Sequence, residues 1–255
     1  MRIACGIEYD GAPFYGFQRQ KQQPTVQQCL EDAISEVANH PVTVVCCGRT
    51  DTGVSAAEQV IHFDSKAIRS DRQWTLGINS ALDKAIVVLW VKPVSDEFHA
   101  RFSALSRSYQ YRISNRSVRP AINRQHLSWV VKPLDHELMD QAIKCLIGCH
   151  DFSAFRSSQC QSKQPIKTIT NASVKRHNEQ LIIEVQASGF LHHMIRNIAG
   201  TLIAIGKGEK PINWMQQVLL SKDRCQAGIT ATPNGLRFMQ AEYPKQFNLP
   251  HRIIL

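Results

Sequence analysis

Hydrophobic and polar positions in the first hundred residues follow two different periods, and each period predicts a kind of element. Residues 2–9 alternate with the two-residue period of a half-buried strand. Thr25 and Ser70 each precede a stretch with apolar residues every three or four positions, which is typical of a capped amphipathic helix. Three shorter apolar runs predict further strands at residues 42–47, 59–64 and 85–91. This order, strand–helix–strand–strand–helix–strand, is the ferredoxin-like arrangement.

The second half of the chain shows the same order of elements without any repeated sequence. Its predicted strands are residues 108–114, 167–177, 180–187 and 235–242, and its predicted helices are residues 135–147, 190–205 and 212–221. Residues 177–179 form the expected turn between two of these strands. We therefore expect an α+β protein of two halves, residues 1–105 and residues 106–255, which face each other across a cleft.

Length and composition are those of a globular protein without a membrane segment. The chain has 255 residues, and 43% of them are hydrophobic. No stretch approaches the roughly 18 consecutive apolar residues of a transmembrane helix. The first ten residues lack the apolar core and cleavage site of a signal peptide. The sequence thus predicts a cytoplasmic protein with no membrane partner.

The charge balance points to a polyanionic partner. Thirty Lys and Arg residues against 21 Asp and Glu give a net charge of +9. Proteins this basic often bind nucleic acid, because a positive surface attracts phosphates. The alternative is a solvated basic surface with no particular partner.

Eight cysteines raise the question of metal or disulfide chemistry. No Cys-x-x-Cys pair occurs, and only Cys145, Cys149, His150 and Cys160 lie close enough in sequence to suggest zinc. The spacing does not match standard ligand sets. We therefore expect reduced thiols and no metal.

The segment CCGRTDTGVSA, residues 46–56, places Arg49 and Asp51 between Gly48 and Gly53. Residues two apart in an extended segment project to the same side, so the guanidinium would keep the carboxylate ionised. An ionised carboxylate in such a loop can act as a nucleophile or a base. The alternative is a solvated hairpin tip, since Asp-Thr-Gly is a common turn sequence.

The segment FHARFSALSRSYQYRI, residues 98–113, mixes arginines with aromatic residues. Arginines hold phosphates and aromatic faces stack on extruded bases, so the mixture suits RNA. Tyr109 and Tyr111 share one face of the predicted strand. The alternative is that both tyrosines belong to the core, because Tyr favours strands in any case.

The segment SGFLHHMIRNIAGTLIAIG, residues 188–206, predicts a buried helix with one polar stripe. Arg196 lies in that stripe and requires an acid or a phosphate as partner, with Asp51 as a candidate. His192 and His193 resemble a metal pair. We expect no metal there, because consecutive helical residues do not face each other.

Two polar loops complete the set of candidate RNA contacts. Residues 9–27 include Arg19 and Lys21, and residues 157–165 follow the sequence FSAFR. Both suit contacts to sugars and phosphates. Both could equally be ordinary surface loops.

Taken together, these segments resemble the tRNA pseudouridine synthase A (TruA) family over nearly the whole chain. The matching motifs are IEYDG, GFQRQ, GRTDTGV, FHARFSA, RSYQYRI, DFSAFR, QCQS and HHMIRNIAG. The resemblance implies two ferredoxin-like βαββαβ halves with antiparallel sheets facing a central RNA-binding cleft, and a homodimer. It implies isomerisation of uridine to pseudouridine at positions 38, 39 and 40 of the tRNA anticodon stem-loop. It implies no metal and no organic cofactor.

The resemblance also implies roles for individual residues. Asp51 matches the family nucleophile, and Tyr109 matches the tyrosine that packs against the target base and handles its proton. Arg49 matches the arginine linked to base flipping, and Arg196 matches the helical arginine that positions the aspartate. The implied substrate-binding residues are Arg49, Arg69, Phe98, His99, Ala100, Arg101, Phe102, Tyr109, Gln159, Cys160, Gln161, Ser162 and Lys163.

Two positions depart from the family pattern. Ser55 stands where the family usually has histidine, and Glu58 stands where it commonly has glycine. Neither carries a chemical role, so the departures put only loop packing and local RNA contacts in question.

Two other functions are compatible with the residues alone. A catalytically inactive tRNA-binding module would show the same charge and aromatic pattern. A phosphoryl-transfer enzyme could form an aspartyl phosphate on Asp51, although such enzymes need further carboxylates for magnesium and no second acidic cluster is present.

Overall fold

The protein is a mixed α+β protein, as the sequence predicts. The computed structural model describes residues 1–162 and 164–250, and these contain ten strands and five α-helices. Two compact units are present. The first comprises Met1–Arg107 together with the C-terminal residues from Arg237 on, and the second comprises Ser108–Leu236.

The C-terminal segment belongs to the first unit, which differs from the predicted division at residue 105. The last strand, β10 (Leu236–Glu242), pairs in parallel with a strand of the first unit, β3 (Ser55–Asp64), through Arg237↔Ser55 and Phe238↔Ala56. Local patterning predicts that β10 is a strand. It cannot predict which strand becomes its neighbour, because that pairing joins residues far apart in sequence.

The first unit is built on three long antiparallel strands. Its elements are β1 (Arg2–Tyr9), α1 (Val26–Ala38), β2 (Val45–Cys46), β3, α2 (Asp71–Ala81), β4 (Ile86–Val94) and β10. Strand β1 lies between β3 and β4, with Ala4 opposite both His62 and Lys92. The predicted order strand–helix–strand–strand–helix–strand is confirmed for this unit.

Both predicted helix caps of this unit are confirmed. The Thr25 side chain accepts a hydrogen bond from the Gln28 amide, and Ser70 forms a capping box with Gln73. Each cap satisfies amide groups that have no partner within the helix. The helices therefore start where the sequence places them.

Strand β2 is shorter than the predicted run 42–47. The amides of Val42 and Val44 donate to the Ser35 hydroxyl and the Glu31 carboxylate, both on α1. Because helix side chains satisfy these amides, the run does not extend the ladder with β3.

The second unit has a helical layer and a strand hairpin. Its elements are most of β5 (Ser106–Asn115), then β6 (Ser128–Val130), α3 (His136–Ile143), β7 (Gly148–Asp151), β8 (Ile166–His177), β9 (Gln180–Ala187), α4 (Met194–Gly206) and α5 (Trp214–Ser221). The predicted β8–β9 hairpin is confirmed. Asn178 takes the left-handed conformation, with φ of 53°, that its tight turn needs.

Helix α4 begins at Met194, so the predicted start at residue 190 is wrong. His193 precedes it with φ of 63°, in the left-handed region, and the Met194 amide donates to the Leu191 carbonyl at 3.0 Å. A tight turn therefore occupies the residues that the apolar spacing assigned to the helix. No helix among the described residues is long and apolar enough to cross a membrane.

Candidate active site

Asp51 lies in a tight turn between β2 and β3. Its carbonyl accepts a hydrogen bond from the Val54 amide at 3.1 Å, and Gly53 has φ of 78°. This conformation favours glycine, which explains that residue in the loop. Asp51 is half-buried, whereas Arg49 is exposed. Within the first unit, the turn thus presents the carboxylate at the edge of a packed surface.

Backbone hydrogen bonds hold the Asp51 turn against residues 14–17. The Phe17 amide donates to the Thr50 carbonyl at 3.0 Å, and the Gly53 amide donates to the Phe14 carbonyl at 3.4 Å. Gly16 allows this close approach, because a Cβ there would lie 2.8 Å from the Thr50 carbonyl oxygen. The IEYDG and GFQRQ segments therefore frame the loop that carries Asp51.

Two buried side chains, those of Tyr9 and Gln59, also hydrogen-bond to the segment that carries Asp51. The Tyr9 hydroxyl and the Thr50 hydroxyl lie 2.8 Å apart in a buried hydrogen bond. Burial raises the pKa of Tyr9 well above its ordinary value, so the phenol stays neutral. The Gln59 amide nitrogen donates to the Gly48 carbonyl at 2.6 Å. Sequence reasoning missed both residues, because neither carries a chemical signal of its own.

The two departures from the family pattern are packing positions inside the first unit. The Ser55 hydroxyl oxygen accepts from the Gly11 amide at 3.0 Å. Buried Glu58 accepts from Trp90 Nε1 at 2.8 Å, and Gly6 leaves room for that indole, since a Cβ at residue 6 would collide with it. Both side chains are buried, so their replacement alters loop and sheet packing.

A third missed residue, Glu31, ties the first polar loop to the unit. Its buried carboxylate accepts from Arg19 Nη1 at 2.8 Å, from Gln27 Nε2 at 2.8 Å and from the Val44 amide at 3.1 Å. These three donors come from the loop, α1 and the segment before β2. The Glu31 carboxylate therefore anchors the Arg19 end of this loop, in addition to the backbone bonds that residues 14–17 make to the Asp51 turn. In the sequence, the only signal for this role of Glu31 is its position four residues after Gln27.

The FHARF segment divides into buried and exposed residues. Phe98 and Ala100 are 0% exposed, and Phe98 packs against Tyr243 and Phe247 with ring centroids 5.2 and 5.1 Å apart. Phe102 is 75% exposed and Arg101 is exposed beside it. Only part of the predicted contact segment therefore presents side chains to a ligand.

Arg69 lies on the surface of the first unit. Its guanidinium donates to the Ile68 carbonyl at 3.2 Å and to the Val37 carbonyl, near the end of α1, at 3.4 Å. These weak bonds leave the cation at the surface, where it can meet a phosphate.

In the second unit, Tyr109 and Tyr111 have different environments. Tyr109 on β5 is half-buried, and its ring meets Phe190 edge to face at 5.0 Å. Tyr111 is fully buried, and its hydroxyl donates to the Thr232 carbonyl at 2.9 Å. Burial raises the pKa of Tyr111. The core interpretation therefore holds for Tyr111, while Tyr109 retains access to a ligand.

Arg196 sits in the first turn of α4 and is half-buried, not buried as predicted. Its Nε donates to the Ala231 carbonyl at 2.8 Å, and the Ala231 amide donates back to the Arg196 carbonyl at 3.1 Å. Gly200 permits this packing, because a Cβ there would collide with the Ile229 carbonyl. The guanidinium is thus oriented by backbone from the loop before β10.

The helical argument against a metal at His192 and His193 is wrong. Both residues precede α4, and their rings lie with centroids 4.0 Å apart. The left-handed conformation of His193 brings together two side chains that a helix would separate.

The second polar loop curls around a residue that sequence reasoning did not single out. Arg156 Nη2 donates to the carbonyls of Cys160 and Ser162, at 3.0 and 3.4 Å. The Ser157 amide donates to the His192 carbonyl at 2.9 Å. The predicted contacts Gln159, Cys160, Gln161 and Ser162 lie in this loop, and Lys163 lies outside the described residues.

The predicted thiols are confirmed as free. None of the eight cysteines, all of which lie in the described part of the chain, forms a disulfide. Burial raises the pKa of Cys46 to about 12 and raises that of Cys47. Both therefore carry neutral thiols inside the first unit.

The amino-acid sequence of this chain is similar to one family of known proteins and to individual members of it. A family described as tRNA pseudouridine synthase matches residues 6–103 and 142–244. A tRNA pseudouridine synthase A of Pseudoalteromonas atlantica is 52% identical over 250 residues, which cover 98% of this chain and 95% of the relative. Relatives of the same name from Coxiella burnetii and Shewanella piezotolerans are 51% and 50% identical, each across 98% of this chain and 95% and 96% of their own lengths.

Proposed function

The chain belongs to the tRNA pseudouridine synthase family, and on that premise we propose that it isomerises uridine to pseudouridine at positions 38, 39 and 40 of the tRNA anticodon stem-loop. The observation that carries the proposal is the extent of the match, which includes the Asp51 turn and nearly the full length of relatives named for this activity. The phosphoryl-transfer alternative loses its support, because the same aspartate falls within the family match.

The reaction requires a carboxylate and an enclosed substrate. The bond from ribose C1′ to uracil N1 breaks, the base rotates, and C1′ bonds to C5. The C5 proton then leaves, and N1 gains a proton. Asp51 attacks the ribose or the uracil ring, or acts as a base. In each case the hydrogen bonds of its turn fix the position of the residue.

We assign three supporting roles from the resemblance. Arg49, exposed beside Asp51, occupies the space that a flipped uridine leaves. Tyr109 packs against the target base and handles its proton, which fits a half-buried ring braced by Phe190. Arg196 positions the aspartate, which fits a guanidinium already oriented by the Ala231 carbonyl.

The tRNA itself is held mainly through phosphates and unpaired bases. A net charge of +9 favours the RNA backbone, and exposed Arg101 and Phe102 offer a cation and a stacking face. Arg69 and residues 159–163 complete the proposed contact set. Phe98 and Ala100 act through packing, since their side chains are fully buried.

The architecture, the oligomeric state and the location belong to the same proposal. The first unit contains strands in the order β4-β1-β3, with β2 also paired to β3, which supports a ferredoxin-like half. The remaining features rest on the resemblance: a second such half, the facing of both halves across an RNA-binding cleft, the homodimer and the cytoplasmic location. Light scattering of the purified protein would test the dimer, and a monomeric mass would contradict it.

The deciding experiment maps pseudouridine in anticodon stem-loop RNA. Wild-type protein and Asp51→Ala are incubated side by side with several stem-loops that carry uridine at positions 38 to 40. We expect pseudouridine at those positions with wild type and none with the variant. RNA binding without product from wild-type protein would instead identify an inactive tRNA-binding module.

A further inference from the structure

A buried histidine lies directly beneath the FHARF segment. His62 is 4% exposed and stands on β3, opposite Ala4 of β1 and Val45 of β2. Its Nδ1 accepts a hydrogen bond from the Ala100 amide at 3.1 Å. A residue enclosed in this way cannot touch RNA, so any effect on binding must pass through the residues that it holds.

Side chains hold the backbone of the turn of residues 98–103. Arg2 and Tyr243 donate to the carbonyls of Phe98 and Ala100 at 3.0 and 2.6 Å, and two imidazoles and one hydroxyl accept from the amides of the turn. His99 Nδ1 accepts from the amides of Arg101 and Phe102, each at 3.2 Å. The Ser103 hydroxyl accepts from the His99 amide at 3.0 Å, and the Ser103 amide donates to the His99 carbonyl at 2.9 Å. His99 therefore closes the outer part of the turn, while His62 holds the Ala100 amide and Tyr243 the Ala100 carbonyl at its centre.

As a result, the Phe102 side chain is held in a solvent-exposed position. The Phe102 ring stacks on His99 with centroids 4.3 Å apart, and the Arg101 guanidinium lies 5.5 Å from the Phe102 centroid. Leaving a phenylalanine 75% exposed forgoes the stabilisation that burial would give. An aromatic face beside a guanidinium is suited to an unpaired base and its phosphate.

The imidazole beneath the turn accepts only while Nδ1 carries no proton. Burial, together with the positive charges of His99 and Arg2, lowers the pKa of His62 to about 4, and Asp64 opposes this effect. The acceptor is therefore maintained at neutral pH. His99 and Phe98 also meet the His62 ring edge-on, with centroids 4.9 and 6.0 Å away.

We propose that His62 is a positioning residue for tRNA binding: by accepting the Ala100 amide hydrogen, it holds Arg101 and Phe102 in the orientation in which they contact the RNA. The inference rests on the proposed function, because it takes tRNA as the ligand of that turn. It assigns His62 to affinity and leaves the chemical step to other residues.

The test measures RNA affinity and turnover separately. Kd for an anticodon stem-loop is measured in the Asp51→Ala background, and kcat and KM are measured in the active protein. His62→Leu, which removes the acceptor, should weaken binding and raise KM about tenfold with kcat unchanged. His62→Asn places an amide oxygen near the position of Nδ1 and should restore Kd to within about threefold of wild type.

A matched control separates positioning from general loss of stability. Asn79 in α2 also bonds backbone, through two contacts of 2.9 and 2.7 Å to Val88, and lies outside the turn. Asn79→Ala should lower Tm without changing Kd. If Asn79→Ala weakens RNA binding as much as His62→Leu at a comparable loss of Tm, His62 has only a structural role and the proposal is wrong.

A double variant tests whether His62 acts through Phe102. Phe102→Ala alone should weaken binding, and His62→Leu should add little in that background; fully additive losses would overturn the proposal. If His62→Leu does not fold, His62→Gln replaces it in the test, because its side chain displaces the amide oxygen by one methylene. His62→Gln should bind RNA more weakly than His62→Asn. Equal affinities of the two variants would contradict the proposal. Product formation by wild type, measured in the same series, reports on the proposed function independently.

Discussion

The first unit holds two functional segments in different ways. The Asp51 turn, residues 48–54, is fixed by backbone bonds to residues 14–17 and by Tyr9 and Gln59 from two strands. The FHARF turn, residues 98–103, is held mainly by side chains: His62, His99 and Ser103 accept from its amides, and Arg2 and Tyr243 donate to its carbonyls. The first is held largely by backbone bonds that overlap, whereas in the second each side chain satisfies its own backbone groups. The supports of the reacting group therefore overlap, whereas each amide of the binding turn has one side-chain acceptor.

Redundancy has a direct consequence for substitution. Removing one support from the Asp51 turn leaves the others in place, so the carboxylate should move little. Removing the His62 acceptor leaves the Ala100 amide without this bond, while Tyr243 still holds the Ala100 carbonyl. Variants in the two segments should therefore separate into effects on kcat and effects on affinity.

The largest effect is expected at Asp51 itself. Asp51→Ala should lower kcat by at least about 10⁴-fold, or about 5 kcal/mol in the barrier, because the reacting group is lost. Stem-loop affinity should stay within about threefold. Single-turnover assays and equilibrium binding measure the two quantities, and Asp32→Asn on α1 serves as a carboxylate control. Retained turnover in Asp51→Ala would show that this turn does not carry the chemistry.

The next effect is acid sensitivity of the FHARF turn. The pKa of His62 falls from 6.5 to about 4 on folding, so the unfolded chain binds more protons between these values. Stability from this group is complete above about pH 6.5 and falls as the pH drops toward 4, by about 3 kcal/mol in total. Urea unfolding between pH 7 and 4.5 should show most of this loss in wild type and a smaller one in His62→Asn. Parallel pH dependence in both proteins would contradict the assignment.

Sequence reasoning located the reacting loop but not its supports. Arg49, Asp51 and their glycines form a local chemical pattern, and family motifs extend it. Tyr9 and Gln59 act through contacts 41 and 11 residues away along the chain, which no local pattern reveals. Their hydrogen-bonding partners became identifiable only from the folded chain.

The fold shows the same limit. The β8–β9 hairpin was predictable, because its alternation and the Asn178 turn are local signals. The start of α4 was not, since the apolar spacing of residues 190–193 imitates a helix while His193 adopts a left-handed turn. The parallel pairing of β10 with β3 lies beyond local patterning for a different reason, because it joins residues far apart in the sequence.

A smaller effect is expected from salt. Affinity for the stem-loop should fall by about tenfold or more between 50 and 200 mM salt, because several phosphate contacts release counterions. Arg101→Ala should reduce the slope of log Kd against log salt by about one if it meets a phosphate. Arg176→Ala is the control, since the Asn115 side chain and the Leu134 carbonyl already accept from that half-buried guanidinium. An unchanged slope in Arg101→Ala would remove the FHARF turn from the phosphate-binding surface.

The smallest effect is expected where the Asp51 turn is supported most. Tyr9→Phe deletes one buried hydrogen bond to Thr50 and keeps the ring, so stability should fall by about 1 kcal/mol. We expect kcat to fall by no more than about threefold, because the bonds from Phe17, Gly53 and Gln59 persist. Adding Gln59→Leu should cost more than the sum of the single changes, since the second support is then lost as well. Additive losses in kcat would show that the supports act independently. A large loss in kcat from Tyr9→Phe alone would show that the Asp51 turn is no better supported than the FHARF turn.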